Sequence, residues 1–206
     1  MKSDKQTENP EDIYFFLEKQ IVTVHDFDAP GFILDIGGGG EGIIGQLKGK
    51  QVIAIDPNRR ELEEAADGPL KIIMNARELL FLDNTFNVVT SFFTLMYIKV
   101  SDQKKVFKEV FRVLESDGRF LIWDVEIPQR IDIDKDVVAF YLKAILPDRE
   151  VETGYGTKWP EKIKDLSHYK EMAKSTGFIT AEQKANGRVF FPGISETISA
   201  NHVSKR

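Results

Sequence analysis

Phe32-Ile33-Leu34-Asp35-Ile36-Gly37-Gly38-Gly39-Gly40-Glu41-Gly42 is an apolar run that ends in an acid and passes into four consecutive glycines. It reads as a buried strand feeding a nucleotide-binding turn, because a backbone without Cβ atoms lets a ligand approach and the helix that follows offers free amides at its start. Gly37, Gly39 and Gly42 also satisfy the G-x-G-x-x-G spacing of a dinucleotide fold. Asp35, two residues before Gly37, argues against that ligand, since a carboxylate at the strand end repels a pyrophosphate. A cofactor that brings positive charge to the same place meets no such penalty.

The segments downstream extend the pattern. Gln51-Val52-Ile53-Ala54-Ile55-Asp56 forms a second strand closed by Pro57. Its terminal acid lies about 20 residues past the glycines, where a carboxylate accepts the ribose hydroxyls of an adenosine cofactor. Arg59 to Ala65 read as a helix, and Leu70 to Met74 as a third strand that delivers Asn75-Ala76 to the same edge, Asn75 offering an acceptor to an adenine amino group. After the turn Leu82 to Thr85, Phe86 to Phe93 make a fourth strand. Asp102 to Leu114 carries Val106, Val110, Val113 and Leu114 at helical spacing and reads as a covering helix. Ser116-Asp117-Gly118 ends it, and Arg119 to Asp124 form the fifth strand. Thr176-Gly177 closes a helix begun near Ser167, after which Phe178 to Lys184 and Arg188 to Phe191 flank Asn186-Gly187, a strong hairpin signal.

The acid-x-Gly-x-Gly stretch resembles the first motif of the class I S-adenosylmethionine (SAM)-dependent methyltransferases. The run Phe107 to Ile122 and the Phe-x-x-x-x-Phe-x-Val-Val pattern from Phe81 to Val89 resemble the same family, so that the likeness covers Phe32 to Asp124. There are departures. The family often has a third glycine where this chain has Glu41, with Gly42 one place later, and Asn75 and Asn87 replace the usual aspartates. The resemblance implies an α/β fold, a Rossmann-like three-layer sandwich whose seven-stranded, mostly parallel sheet ends in a C-terminal antiparallel β-hairpin. It implies SAM as cofactor and S-adenosylhomocysteine (SAH) as product. Asp35, Gly37, Gly38 and Gly39 would meet the methionine part, with Asp56 at the ribose, Asn75 and Ala76 at the adenine, and Ser91 again at the methionine end; Pro57, after Asp56, would also touch the cofactor. Phe92 would wall the sulfonium, where cation–π attraction is worth about 0.5–2 kcal/mol. Two other readings stay open: an NAD-dependent oxidoreductase, favoured by the glycine spacing and opposed by Asp35 and the terminal hairpin, and a non-catalytic SAM-binding protein.

Composition narrows the partners. The chain has 206 residues, 42% hydrophobic, which suits one domain. Within it the expected parts are an N-terminal helical cap over 1–31, started by Asn9-Pro10-Glu11-Asp12 with Ile13, Phe16, Leu17 and Gln20 on one face, then a SAM-binding core over 32–125. An insertion over 126–161 and a C-terminal helix and hairpin over 162–206 complete it. A net charge of −5 leaves no footprint for nucleic acid. The lack of cysteine removes disulfides, thiolate metal ligands and a cysteine nucleophile. His25, His168 and His202 have no metal-ligand spacing, so no metal is expected. Met1 to Pro10 lack the apolar core of a signal peptide, and the uncharged stretch Asn84 to Ile98 is shorter than the roughly 20 apolar residues of a membrane span. The expectation is a cytoplasmic monomer or homodimer acting on a small-molecule methyl acceptor, away from membranes.

Methyl transfer from a sulfonium needs little acid–base help, and alignment supplies much of the rate. Many members of the family carry a histidine just after the fourth strand, where this chain has Leu95-Met96-Tyr97. The candidates for a proton acceptor are Tyr97, Asp124, Tyr141 and Tyr155. Asp136 to Leu146 read as a helix of the insertion, and Gly154-Tyr155-Gly156 as a glycine-punctuated loop. With Phe140, Tyr141 and Trp159 close in sequence, the insertion reads as a mobile lid carrying substrate contacts.

Overall fold

The computed structural model describes residues 13–130, 134–160, 163–178, 180–183 and 193–199. Its elements are β1 (Tyr14–Phe16), β2 (Gln20–Thr23), β3 (Ile33–Ile36), α1 (Ile43–Lys48), β4 (Val52–Asp56), α2 (Arg59–Glu64), β5 (Leu70–Ile73) and β6 (Phe86–Phe92). They continue as α3 (Val100–Val113), β7 (Leu114–Val125), β8 (Val137–Ile145), β9 (Glu150–Lys158), α4 (Leu166–Thr176), β10 (Thr180–Gln183) and β11 (Gly193–Ser199).

The main sheet has seven strands in the order β10-β11-β7-β6-β3-β4-β5. The five from β7 to β5 run parallel, whereas β11 is antiparallel to both β7 and β10. The expected architecture is therefore present, with one shift of detail. The described part of the last strand is Gly193–Ser199, and the expected Asn186-Gly187 turn and Arg188 to Phe191 lie outside the described residues. β7 begins at Leu114, five residues before the expected start, because Phe86 pairs with Leu114 and the register then shifts before Val88 meets Arg119. Asp117, at φ 62, takes up the irregularity.

Both faces of a parallel sheet are covered, so its strands are apolar on both sides. Leu34, Ile36, Ile55, Val89, Phe120 and Ile122 face α3 and α4, where Val106, Phe107, Val110, Val113 and Ala173 pack on them. Ile33, Val52, Ala54, Val88, Leu121 and Trp123 face the other way, toward Ile43 and Ile44 of α1 and Leu62 of α2. Burying each such valine or phenylalanine stabilises the fold by about 1.5–3 kcal/mol. Asp165 caps α4 by accepting from the His168 amide at 2.8 Å, and Gly177 ends the helix.

A second sheet replaces the expected N-terminal helix and the expected helix at Asp136–Leu146. β1 and β2 lie end to end along one edge of β8, both parallel to it, and β9 runs antiparallel along the other edge from Val137↔Lys158 to Ile145↔Glu150. The Asn9-Pro10 start lies outside the described residues. Phe16, assigned to a buried helix face, is 48% exposed. The strand period of two decided both segments. In β8, Val138, Phe140, Leu142 and Ala144 are buried while Tyr141 between them is 62% exposed, and the segment is rich in the β-branched and aromatic residues that suit a pleated surface. The inner face joins the cluster of Val88, Phe92, Phe93 and Trp123. Phe140 and Trp159 are therefore core residues, and the Trp159 indole donates to the Pro128 carbonyl at 2.9 Å. Gly154-Tyr155-Gly156 is part of strand β9 rather than a loop.

Candidate functional site

The carboxyl ends of β3, β4, β5 and β6 open into a cleft of about 730 Å³, with Gly154 and Tyr155 of β9 on its far wall. β3 pairs with β4 on one side and β6 on the other. The chain departs in opposite directions from that point, which is where α/β sheets leave a crevice for ligands.

The glycine turn is shaped by close approach on three sides. The amides of Gly37 and Gly38 both donate to the Ile55 carbonyl, at 2.8 and 3.1 Å. Gly37 has φ 71, and a Cβ there would stand 2.2 Å from Thr94 Oγ1. A Cβ on Gly38 would meet Asp35 Oδ2 at 2.7 Å, and one on Gly39 would meet Glu61 Cβ at 2.5 Å. Gly37 and Gly39 line the cleft, whereas Gly38 turns its back to it against Asp35 and Ala54.

Asp35 was expected to face the ligand, but it is 2% exposed beneath the glycines and accepts from the Thr90 hydroxyl at 2.7 Å. Alternation along β3 sends its side chain to the sheet face rather than out of the strand end. Burial pushes the carboxyl up to about 7, against the Thr90 hydrogen bond and with some help from the charge of Asp56. A carboxyl that holds its proton more tightly folded than unfolded makes the fold most stable below its ordinary pKa of 3.8 and less so as pH rises toward 7. The slope is up to about 1.4 kcal/mol per pH unit. Asp35→Asn keeps an acceptor for Thr90 and removes the titration. Urea unfolding should show the variant gaining on the wild type between pH 4.5 and 7.5, and parallel curves would mean that Asp35 does not titrate there.

Asp56 lines the cleft at the end of β4, with Oδ1 accepting from the Asn58 amide at 2.7 Å. Burial is the main cause that raises its pKa. The cap of α2 is Asn58, which accepts from the Arg60 amide at 3.1 Å, so Asp56 is left for the cleft. Pro57, Asn75 and Ala76 line the same end. The Asn75 carbonyl oxygen, expected to be open to a ligand, accepts from the Arg77 amide and Nε at 3.0 and 3.2 Å. Phe92 lines the cleft, but Ser91 does not. Strand alternation turns Ser91 toward the α3 side with Val89, where its buried hydroxyl has no hydrogen-bond partner among the described residues.

Two of the four proton-acceptor candidates reach the cleft. Tyr97 does so from a short 3-10 turn, Leu95–Tyr97, that follows β6. Side chains from β9, α3 and the segment before α4 hold that turn: the Met96 carbonyl accepts from Lys164 Nζ at 2.8 Å and Thr157 Oγ1 at 3.2 Å, and the Leu95 carbonyl from Gln103 Nε2 at 2.9 Å. Burial pushes the Tyr97 phenol up to about 12, against a hydrogen bond from the Gly156 backbone. Tyr155 donates to Glu41 Oε2 at 3.1 Å, and burial together with the Glu41 carboxylate pushes its phenol up as well. Both are neutral donors at ordinary pH rather than bases. Asp124 lies on the α4 side, buried, with the Tyr169 hydroxyl on Oδ2 at 2.8 Å and the Val125 amide on Oδ1 at 2.9 Å. Burial raises it to about 6, but it is not in the cleft. Tyr141 lies on the outer face of the second sheet, stacked on Phe16 with ring centroids 6.3 Å apart.

The cleft also holds Glu41, Glu61, Thr94 and Lys99, which sequence reasoning did not select. For Glu41 the signal was there, as an acid where the family often has glycine. Glu61 and Thr94 come from the helix after β4 and the turn after β6, and neither sits in a motif.

Comparison with known proteins agrees with this geometry. A family model described as a methyltransferase domain matches residues 34–122. The ubiquinone/menaquinone biosynthesis C-methyltransferase UbiE of Idiomarina loihiensis is 32% identical over 129 residues, 56% of this chain and 50% of that protein. This chain spans about half the length of the curated relatives it matches. Phosphoethanolamine N-methyltransferase 2 of Haemonchus contortus, solved in complex with SAM, is 22% identical with a TM-score of 0.55, over 77% of this chain and 35% of that one. A protein of Pyrococcus horikoshii has the same fold at 21% identity and a TM-score of 0.55, over 84% and 82% of the two chains. The matched core, the strand order and the glycine turn at the carboxyl edge agree: residues 34–122 match a methyltransferase domain, set in a fold shared with a solved SAM-bound methyltransferase.

Proposed function

We propose that the protein moves a methyl group from SAM to an O, N or C nucleophile of a small molecule, with SAH as the product. The observation that carries this reading is the cleft wall made by Gly37, Gly39 and Asp56. The backbone there is open only because no Cβ would fit, and Asp56 Oδ2 faces the same space, 3.2 Å from where a Gly39 Cβ would stand. Gly37 and Gly39 would hold the methionine end, Asp56 the ribose hydroxyls, and Pro57, Asn75 and Ala76 the adenine. With the Asn75 oxygen engaged by Arg77, its NH₂ is the group left to meet a base.

When bound, SAM supplies a methyl group already activated on a sulfonium sulfur. The chain's own residues would orient the acceptor and exclude water, since holding two reactants in line contributes a large effective molarity. Phe92, Phe93, Tyr97 and Tyr155 make an aromatic wall on the cleft, and the Tyr97 hydroxyl, kept neutral, would orient an acceptor oxygen rather than take its proton, while the Tyr155 hydroxyl gives its proton to the bond with Glu41. Such a wall suits a flat, electron-rich aromatic acceptor. The C-methyltransferase name of the curated relative supports the same class.

The test is incubation with methyl-labelled SAM and a panel of hydroxylated quinols, simple phenols and amines. Label should appear on an aromatic acceptor. SAH binding with no label on any acceptor would favour a non-catalytic SAM-binding protein.

A further inference from the structure

Glu41 interrupts the glycine turn, and both of its carboxylate oxygens are taken by one strand of the other sheet. Oε1 accepts from the Thr153 hydroxyl and Oε2 from the Tyr155 hydroxyl, both on β9. The Glu41 carbonyl in turn accepts from Gln46 Nε2 of α1 at 2.6 Å. The residue therefore bridges the turn, the helix after it and the far wall of the cleft, across more than 110 positions of sequence. A carboxylate is an acceptor only, so both hydroxyls must point at it, and charge assistance makes such bonds about twice as strong as neutral ones. Tyr155, fixed at its hydroxyl, stacks on Phe93 with centroids 5.7 Å apart and planes at 12°. Among the described residues, these two bonds are the side-chain hydrogen bonds that join β9 to the turn.

We propose that Glu41 is a positioning residue that ties β9 to the glycine turn, so that a cofactor filling the turn also fixes the acceptor wall of Tyr155 and Phe93. The inference rests on the reading of the cleft as the SAM site. It implies an order of events, cofactor before acceptor, because the wall is set from the cofactor side. Electrostatics act in the same direction. Burial, and then the charges of Glu64, Asp56 and Glu41, raise the Glu61 carboxyl, so a ligand bringing positive charge to the turn relieves repulsion on Glu61.

Hydrogen exchange of the full chain with and without SAH tests the coupling, using wild type, Glu41→Gly and Glu41→Gln. In the wild type, SAH should slow exchange in both 36–42 and 151–157. Glu41→Gly, which restores the residue common in the family, should keep the slowing in the turn and exchange at least about tenfold faster than wild type in SAH-bound β9, the worth of one charge-assisted hydrogen bond. Glu41→Gln keeps the size and one acceptor oxygen and should fall between. Slowing of β9 that is equal in wild type and Glu41→Gly, or a wild-type turn that responds while β9 does not, would overturn the coupling alone. No response of the wild-type turn would overturn the SAM reading and this inference with it.

Discussion

Gly37→Ala should cost the fold about 2–5 kcal/mol and remove cofactor binding. The new methyl would stand 2.2 Å from Thr94 Oγ1 and 2.3 Å from Thr94 Cγ2, an overlap of the kind that costs about 1–3 kcal/mol in a packed interior. The φ of 71 adds about 1–2 kcal/mol for a residue with a Cβ. Thr94 has little room to give, because its hydroxyl donates to the Phe92 carbonyl at 3.0 Å and its carbonyl accepts from the Tyr97 amide at 3.0 Å. Any shift is passed to the turn that carries Tyr97 into the cleft. Gly31→Ala separates the two contributions, since Gly31 has a similar φ of 73 with nothing within 4 Å of its built Cβ. Urea unfolding should show Gly37→Ala clearly the worse of the two. Equal losses would mean that the turn does not approach Thr94 as described.

Asp56→Ala should weaken SAH and SAM binding by about 1.5–3 kcal/mol, roughly 10- to 150-fold, as expected for hydroxyl hydrogen bonds to a carboxylate. Stability should change little, because the side chain's one hydrogen bond among the described residues is an exposed one, from the Asn58 amide. Asp56→Asn keeps an acceptor for that amide but loses the charge, and should fall between wild type and alanine in affinity. Calorimetry showing wild-type affinity in Asp56→Ala would reduce Asp56 to a turn residue.

The parallel sheet was legible because strands buried on both faces are short continuous apolar runs with abrupt ends. Ile33 to Ile36, apolar but for Asp35, stop at glycine, Val52 to Ile55 stop at Asp56-Pro57, and Val106, Val110 and Val113 mark α3 by period alone. The second sheet was not legible. Val137-Val138-Ala139-Phe140-Tyr141-Leu142 fits a helix as well as a strand, and its partner β9 carries two glycines that read as a loop. A Cβ on either glycine would meet its nearest neighbour at 3.7 Å, an ordinary contact, so packing on β8 requires neither of them. β1 has three residues, too few to show a period beside a helix-start signal.

At the site, sequence position predicted which strand ends abut the cleft and not which way a side chain points there. Asp56 and Phe92 face it, while Asp35, Ser91 and Asp124 turn onto the sheet faces. One residue of register puts Ser91 and Asp124 on the opposite face from Phe92 and Trp123, whereas Asp35 shares the face of Asp56 and Phe92 but sits two residues deeper in the sheet, beneath the glycines. Tyr155 was a candidate because glycines bracket it. It does reach the cleft, but as part of a paired strand held by Glu41 rather than as the tip of a loop.

The measurement that bears most directly on the central claim is calorimetric titration of the full chain with SAH, SAM and NAD in turn. The account predicts saturable binding of SAH and SAM and no heat of binding with NAD, and at about 100 times its dissociation constant SAH should raise unfolding stability by roughly 2.7 kcal/mol. Saturable binding of NAD, with neither SAH nor SAM bound, would contradict it.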